Sequence, residues 1–561
     1  MSAHSELRVY PLDPERCIGI VSESSAGNVK INIYPGLMAP GTTGSQAVGA
    51  IAGEFVVMAA GGQGIVGHLL EIKLVKENGS DTDSIVGVVQ PLLSLDLEKR
   101  KLLQGVTSKP QVGNKVYSAH PELVQMIADL KPQNQSKASG PVMLSLGKMI
   151  HSGDVNVDHT PEMIFGRHCA ILGTSGGGKS WTVARMIEEC ARYHCKVILF
   201  DATGEFSTLS GGTRHTYLGG DPNPPANAHE VSIPYYHLTE TDLFAIFKPS
   251  GQSQGPKLRM AMKSLKLAMR EPELALDGVI IKIHKSKTAY ETAYRRHIAF
   301  IERPNAEFDI SSLSRQIENE CVHPNRSTLE PQFWGDINGG DQAACMPLIG
   351  RIEDIIHSPH LSSIFFPERR PSLLKVIDAF CADKESRVLR VSLQHLSFAH
   401  HAREIISNAI GRHILMRARE GKFRDNPLLL VVDEAHQFLN KTLENETGNY
   451  NLDSFAQIAK EGRKFGLNIC LATQRPRDIP DAVLSQVGTF LVHRLINDQD
   501  RAVVERASGE ASAATVGRLP TLAPGEAVLL GVDFPVALTL KINKPNSEPI
   551  SRGPDYQRSW S

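Results

Sequence analysis

The sequence predicts a chain of the α/β class, with a mainly parallel sheet between helices, preceded by a separate region of short strands. Compact, unalternating apolar runs such as "CAILG" (169–173) and "PLLLVVDE" (427–434) are typical of strands that are covered on both faces. The first 145 residues instead hold short β-like runs broken by Gly and Pro, for example "EFVVMAA" and "SIVGVVQPLL". Many short strands with turn signals favour a small barrel or a sandwich.

Changes in composition divide the chain further. The stretch "LKPQNQSKASGPVMLSLG" is typical of a linker, so we expect an N-terminal β domain over 1–145. An α/β core is expected over 160–237 and 371–542, because the apolar runs lie there. The residues between these two segments, 238–370, look charged and mainly helical, which indicates an insertion. The tail over 543–561 lacks periodicity and is either disordered or an arm that lies on another surface.

Composition excludes several classes of protein. A chain of 561 residues can bury more than one core, and 41% hydrophobic with 22% charged residues is ordinary for a globular protein. No apolar run approaches the roughly 20 residues of a membrane span, and the N-terminus lacks a signal-peptide core. The eight cysteines are scattered without a CxxC pair, which argues against zinc or disulfide frameworks. We therefore expect a soluble, cytoplasmic protein with no membrane contact.

The strongest motif is "GTSGGGKS", which fits G-x-x-x-x-G-K-[ST] between the strand "CAILG" and an apolar helical stripe. Residues without Cβ let successive N–H groups approach a phosphate closely, and the following helix N-terminus adds partial positive charge. In such a loop the lysine reaches the β- and γ-phosphates and the serine holds Mg²⁺. The predicted nucleotide-binding residues are Gly173, Thr174, Ser175, Gly176, Gly177, Gly178, Lys179 and Ser180.

A second motif narrows the chemistry, since a phosphate cradle alone fits a kinase, a GTPase or a motor. "NPLLLVVDEAHQF" is an apolar strand that ends in Asp433 and Glu434. Asp433 is predicted to hold Mg²⁺ together with Ser180, and Glu434 to orient the attacking water, a group that only hydrolysis needs. The adjacent acidic pair favours an ATPase over a small-molecule kinase.

Two more strand ends carry polar residues. "KVILFDATGEF" ends in Asp201 with Glu205 four residues on, and "NICLATQRP" leads into Gln474. Ligands of open α/β sheets bind outside the carboxyl ends of the strands, so these residues are further candidates. Gln474 is predicted to sense the γ-phosphate or the catalytic water.

These segments, in this order, resemble the HerA/FtsK branch of hexameric P-loop ATPases, and HerA most closely. The match rests on "RHCAILGTSGGGKS", "LFDATGEF", "LLLVVDEAHQFL", "AKEGRKFGLNICLATQRPRDIP" and "FLVHRLINDQDRAVVERA". DEAH-box helicases share the letters DEAH but would need a second core with a Q-x-x-G-R-x-G-R motif, which the sequence lacks. The sequence departs from the family in Ala202-Thr203 and in a longer interval, "KTLENETGNYNLD", before "GRKFG".

The resemblance implies a RecA-like ATPase core, an N-terminal β-barrel and a homohexameric ring that moves double-stranded DNA with ATP and Mg²⁺. It places Arg463 and Arg167 among the catalytic arginines beside Glu434 and Gln474, and makes the tail over 543–561 a brace on a neighbour. Family members work with a NurA-type nuclease or with a defence effector, which is nuclease-like or a sirtuin-type NADase.

Two alternatives to a DNA translocase stay open: a ring ATPase that mainly scaffolds and activates an effector enzyme, and a protein-translocating ATPase. The net charge of −1 means that any DNA site must be local. One candidate is the stretch 251–300, where ten Lys/Arg face four acids; the other is the loop near "RPRDIP" with Arg475 and Arg477.

Overall fold

The computed structural model describes residues 7–25, 27–35, 50–76, 83–130, 142–150, 155–367, 370–397, 399–439, 441–445, 448–508, 513–551 and 556–560. They form two compact units. The first unit comprises Met1–Tyr193, Thr473–Arg477 and Leu484–Glu548, and the second comprises His194–Ala472, Asp478–Val483 and Pro549–Ser561.

The described residues form 21 strands and 16 α-helices. The strands are β1 Cys17–Ser24, β2 Val29–Ile33, β3 Phe55–Ala60, β4 Gln63–Lys76, β5 Asp83–Asp96, β6 Lys101–Gln104, β7 Lys115–Ser118, β8 Leu144–Met149, β9 Asn156–His159, β10 Cys169–Leu172, β11 Lys196–Asp201, β12 Thr213–Tyr217, β13 Ala228–Glu230, β14 Val388–Ser392, β15 Leu428–Val432, β16 Lys441–Asn445, β17 Gly448–Leu452, β18 Leu467–Thr473, β19 Thr489–Val492, β20 Glu526–Gly531 and β21 Phe534–Ile542. The helices are α1 Pro121–Ala128, α2 Pro161–Phe165, α3 Lys179–Ala191, α4 Glu240–Phe247, α5 Gly251–Ala268, α6 Lys287–Ile301, α7 Leu313–Glu320, α8 Gly339–Ile356, α9 Ser362–Phe365, α10 Leu373–Ala382, α11 Ala402–Arg419, α12 Ser454–Glu461, α13 Asp481–Leu484, α14 Asp498–Ser508, α15 Ala513–Arg518 and α16 Tyr556–Trp560.

A small β-barrel opens the first unit. Its strands follow the order β2-β1-β7-β3-β4-β5-β6, and β2 also pairs with β5, which closes the sheet on itself. The described pairings are antiparallel, and alternate residues such as Ile31, Ile65 and Val89 point into a fully buried core. Closure leaves few free strand edges, which explains how so many short strands form one stable body. The prediction of an N-terminal barrel is confirmed.

The rest of the first unit surrounds the glycine-rich motif. Strand β10 runs parallel to β19, and the sheet continues through β20, β21, β8 and β9 in antiparallel pairings. All four residues of β10 are buried, as the unalternating run "CAIL" predicted. Helix α3 follows β10 after the motif, and its apolar stripe is buried against the sheet (Val183, Ala184, Met186, Ile187 and Cys190).

The second unit holds parallel strands in the order β13-β12-β14-β11-β15-β18. Strands β11, β14 and β15 are buried throughout, because helices cover the sheet. The register pairs Val432 of β15 with Leu471 of β18, so both strands end at the same edge of the sheet. The parallel α/β core of the RecA-like type is therefore confirmed, together with a helical insertion that carries helices α4 to α9.

A buried ion pair lies inside the insertion. Lys282 Nζ and Glu320 Oε2 lie 2.5 Å apart with side chains 3% and 0% exposed. Ser264 and Gln316 donate to the other carboxylate oxygen of Glu320, at 2.6 and 3.0 Å. Charges are costly to bury unless they are paired and hydrogen-bonded, and here the partners are supplied by α5 and α7.

The longer interval inside the predicted core and the start of the predicted tail both have definite structures. The longer interval before "GRKFG" forms an antiparallel hairpin of β16 and β17. At the start of the predicted tail, the backbone N–H groups of Asn546 and Ser547 donate to the carboxylate of Glu188 on α3, at 2.9 and 2.6 Å. None of the helices that the structure describes is long and apolar enough to cross a membrane. The bounds expected for the four regions of the chain (1–145, 160–237 with 371–542, 238–370 and 543–561) stay predictions.

Candidate functional site

The glycine-rich motif joins the buried end of β10 to the first residue of α3 as one tight loop. Gly176 and Gly178 have φ of 73° and 110°, in the left-handed region that side chains rarely adopt. Gly177 N–H donates back to Thr174 O at 3.1 Å, which closes the turn. Helix α3 has no side-chain cap at its N-terminus, so a bound anion can take the place of one.

Two glycines of the loop are also required by packing inside the protein. A Cβ on Gly173 would lie 2.6 Å from Cβ of His493, and a Cβ on Gly178 would lie 2.9 Å from Cα of Gly525. Both contacts are too short for any other residue without a shift of the neighbour. The sequence interpretation assigned the bare backbone to the phosphate alone; part of it serves close approach within the chain.

His493, directly beneath the loop, was missed by the sequence analysis. Its Nδ1 lies 2.7 Å from the carbonyl oxygen of Glu526, so Nδ1 carries the proton, and its Nε2 lies 2.8 Å from the hydroxyl of Thr182 on α3. Burial lowers the pKa of His493 to about 4, and the positive charge of Lys179 adds to this effect. The ring is therefore neutral at physiological pH and connects α3 to β20. Only its place in the apolar run "FLVHRL" indicated burial.

The loop forms one wall of a cavity of about 460 Å³, within the size range of small-ligand sites. Gln474 lines the cavity, and its Oε1 accepts a hydrogen bond from the Ser175 hydroxyl, so the predicted sensor contacts the loop. Lys179 is buried at the first position of α3, with 5% of its surface exposed. The other lining residues are Thr174, Gly176, Gly177, Arg475, Arg477, Arg494, Ile496, Asp500 and Pro524.

Three of these lining residues are arginines, and none of the three was predicted to bind the nucleotide. Arg475 and Arg477 follow the sensor glutamine, and sequence reasoning offered them as a DNA-contacting loop. Arg494 follows β19 and was not singled out. An apolar strand that ends in a basic residue was the available signal, because strand ends in α/β sheets carry site residues.

The predicted acidic pair lies in the second unit, at the end of β15. Asp433 and Glu434 are 1% and 4% exposed, and the N–H of Asp433 donates to Phe200 O at 3.1 Å. Glu434 adopts a left-handed backbone conformation with φ of 46°, which is strained for a residue with a Cβ. Its Oε2 lies 3.3 Å from Nδ1 of His436. A buried acid in a strained turn is typical of a reactive position rather than a solvated surface pair.

Asp201, another candidate, has a structural explanation instead. Its carboxylate receives the N–H groups of Gly204 and Phe206, at 2.7 and 3.1 Å, and the guanidinium of Arg390 on β14 at 2.7 Å. Asp201 is fully buried, and Arg390 has 3% of its side chain exposed. Three donors thus contact this carboxylate, two from the turn that follows β11 and one from β14, and they give Asp201 a structural role.

The two predicted catalytic arginines have different surroundings. Arg167 precedes β10, at the opposite end of that strand from the phosphate loop, and pairs with Asp533 at 3.5 Å. Four strand residues span about 13 Å, so Arg167 does not reach the cavity beside the loop of its own chain. Arg463 is exposed in the second unit, in the short helical turn after α12.

Five of the ten basic residues in the stretch 251–300 form ion pairs within their own unit. Arg259 pairs with Glu240 at 2.7 Å, and Lys263 pairs with Glu302 at 2.6 Å. Lys266 donates to the main-chain carbonyls of Ile301, the last residue of α6, and of Arg303, at 3.2 and 3.0 Å. Lys257 pairs with Asp341 and Arg296 pairs with Glu271, whereas Arg270 stacks on Phe300. Ion pairs therefore reduce the local charge that the sequence shows, and a DNA contact through this stretch stays a prediction.

Comparison with known proteins identifies the family. The family model described as "Helicase HerA, central domain" matches residues 144–322, and "Helicase HerA-like C-terminal" matches residues 419–529. Together they cover more than half of the chain and include both motifs. This chain belongs to the HerA family. As a HerA-family protein with a complete phosphate loop and a buried Asp-Glu pair, it is a P-loop ATPase.

Relatives extend the similarity over most of the chain. A probable helicase of Methanocaldococcus jannaschii is 24% identical over 85% of this chain and 79% of its own length. The DNA double-strand break repair helicase HerA of Sulfolobus acidocaldarius is 23% identical over 86% of this chain and 90% of its own. Among solved structures, VirB4 of Thermoanaerobacter pseudethanolicus is 14% identical, covers 74% of this chain and 99% of its own, and has a TM-score of 0.46. The fold assignment rests on the strand order described above.

Proposed function

We propose that this chain is an ATP-driven translocase or helicase that acts on double-stranded DNA. The observation that carries the proposal is a phosphate loop followed by a helix without a side-chain cap, in a HerA-family chain that also has a buried Asp-Glu pair. The relatives support the DNA substrate, because several are named DNA double-strand break repair helicases.

ATP and Mg²⁺ fit the residues present. The backbone N–H groups of the loop and the N-terminus of α3 suit the phosphates, and Lys179 begins that helix. Mg²⁺ prefers oxygen ligands and is usually held by one or two protein groups plus the phosphates. Ser180 and Asp433 supply a hydroxyl and a carboxylate for this role. When bound, Mg²⁺ neutralises the charge that develops on the phosphates.

The remaining site residues take the following roles in this proposal. Glu434 orients and polarises the attacking water, and Gln474 reports the γ-phosphate to the loop through its contact with Ser175. Arg463 and Arg167 act on the nucleotide of a neighbouring subunit. The position of Arg167 at the far end of β10 supports this, because that arginine does not line its own chain's cavity.

An arginine supplied by a neighbour requires an assembly, so we propose a homohexameric ring, as in the family that the motifs resemble. We further propose that the ring works with a partner nuclease of the NurA type or with a defence effector, which is nuclease-like or a sirtuin-type NADase. The tail after residue 542 is proposed as an arm, although Asn546 and Ser547 hold its first residues on α3 of the same chain.

The test is the ATPase rate with and without duplex DNA, on a sample whose stoichiometry is measured by mass photometry. A DNA translocase predicts a rate that rises with duplex DNA, together with a ring-sized mass. Glu434→Gln serves as the matched control, because it keeps the volume of the side chain and removes the charge. If the wild-type rate does not respond to DNA while the ring is intact, the DNA substrate is wrong, and the scaffolding alternative gains support.

A further inference from the structure

We propose that the nucleoside half of the bound nucleotide lies over Arg494, Ile496 and Pro524, with the guanidinium plane of Arg494 stacked on a purine base. This inference rests on the proposed ATP site. The phosphate-loop motif specifies contacts with the phosphates, whereas these three residues would contact the base.

The main chain of Arg494 is fixed to the phosphate loop. Strand β19 runs parallel to β10, with Val492 beside Leu172, so the chain leaves both strands at the same edge of the sheet. The backbone N–H and the hydroxyl of Thr174 both donate to the carbonyl oxygen of Arg494, at 3.0 and 3.1 Å. These bonds fix the backbone of Arg494 beside the loop, and its exposed side chain lines the cavity.

The two flanks of the loop differ in chemistry. On one flank, Gly173 N–H donates to Thr473 O at 3.3 Å, and the next residue, Gln474, contacts the Ser175 hydroxyl. On the other flank lie Arg494 and the residues that follow it. A triphosphate whose γ-phosphate points to Gln474 therefore directs its nucleoside toward Arg494.

The Arg494 flank also carries the apolar surface that a base needs. Ile496 lines the cavity with 56% of its surface exposed, so its apolar side chain is accessible to a ligand there. Pro524 faces the same cavity from a loop that is fixed at two points. Gly525 N–H donates to Gly177 O at 3.0 Å, and Lys541 Nζ donates to Pro524 O at 2.6 Å.

Stacking explains why an arginine stands here. The guanidinium is planar and weakly hydrated, so it stacks on aromatic rings, whereas a lysine ammonium is a compact point charge. A purine offers a large flat face to both Arg494 and the apolar pair. The competing role for Arg494 is a direct contact with phosphate, which depends on charge and not on planarity.

The deciding experiment measures affinity by calorimetry for two probes, Mg-ATP and inorganic tripolyphosphate with Mg²⁺. The variants are Arg494→Ala, Arg494→Lys and Ile496→Ala, with Lys179→Ala as the control for the phosphate site. We expect Arg494→Ala to weaken ATP binding by roughly 5- to 30-fold, the range of a cation–π contact at a partly desolvated site. Tripolyphosphate affinity should stay within about twofold, and this probe also reports that the loop is folded.

The other variants separate stacking from charge. Arg494→Lys keeps the charge and loses the plane, so ATP should weaken while tripolyphosphate does not, and Ile496→Ala should behave in the same way. Lys179→Ala should weaken both probes. Equal weakening of both probes by Arg494→Ala would assign that arginine to the phosphates and overturn the inference, as would unchanged ATP affinity in the Arg494 and Ile496 variants. A wild-type protein that binds neither probe would instead refute the proposed ATP site itself.

Discussion

Replacing His493 by glutamine should make the first unit less sensitive to acid. In the folded protein His493 is buried and neutral, with its pKa lowered from 6.5 to about 4, whereas in the unfolded chain it titrates normally. Above pH 6.5 neither state binds the proton, so the histidine costs nothing. Between pH 6.5 and 4 the histidine of the unfolded state binds a proton that the folded state does not bind. The free energy of unfolding therefore falls as the pH falls.

The magnitude follows from the two pKa values. One pKa unit corresponds to about 1.4 kcal/mol, so lowering the pH from 7.5 to 5 should destabilise the wild type by about 2 kcal/mol through this group alone. Glutamine can donate to the Glu526 carbonyl and accept from the Thr182 hydroxyl as the neutral ring does, but it does not titrate. The variant should therefore lose about 2 kcal/mol less over the same interval.

Denaturant unfolding at the two pH values measures this difference. Trp181 lies on α3, next to Thr182, so its fluorescence reports the first unit once the other two tryptophans are replaced by phenylalanine. His284→Gln serves as a control for specificity, because that half-exposed histidine lies in the second unit and its loss should leave the pH dependence seen by Trp181 unchanged. An equal loss of stability in the wild type and in His493→Gln would show that the histidine is not held neutral, and the account of the loop's support would be wrong.

Three further predictions concern the site and its surroundings. Asp201→Asn should destabilise the second unit by about 3–5 kcal/mol in denaturant unfolding, because it leaves the Arg390 charge buried without its partner; a change under 1 kcal/mol would contradict the structural role. Gly173→Ala should lower the free energy of unfolding by about 1–3 kcal/mol, measured by thermal melting, and weaken ATP binding, because its Cβ would meet His493. Gly350→Ala, in α8 with nothing near its Cβ, is the control and should leave the melting temperature unchanged or raise it. Lys179→Ala should lose nucleotide affinity as well as turnover, whereas Glu434→Gln should still bind ATP without hydrolysing it; equal loss of binding in both, measured by calorimetry, would refute the division of roles.

Sequence reasoning was strongest where one physical cause determines both pattern and structure. Strands β10, β11 and β15 were predicted because burial on both faces requires continuous apolar residues, and each is buried throughout. The phosphate loop was predicted because a tight turn at positive φ requires glycine, as Gly176 and Gly178 show. Local chemistry of this kind is readable without knowledge of distant contacts.

Sequence reasoning was weakest where a residue's role depends on partners far along the chain. Asp201 stood at a strand end like a ligand, but its partner Arg390 comes 189 positions later, on the neighbouring strand β14. The basic stretch 251–300 looked cationic because its partners, such as Glu240 and Glu302, lie outside it. Arg494 reaches the loop through Thr174, 320 positions earlier. Such pairings follow from topology, which no local pattern contains.

The central claim, that ATP hydrolysis drives movement along duplex DNA, is tested most directly by displacement of a triplex-forming strand. Wild-type protein with Mg-ATP should release a labelled third strand from duplex DNA, because a translocase must remove it in order to advance. Glu434→Gln should bind ATP and leave the triplex intact. Hydrolysis that is stimulated by duplex DNA without any release of the third strand would contradict the claim.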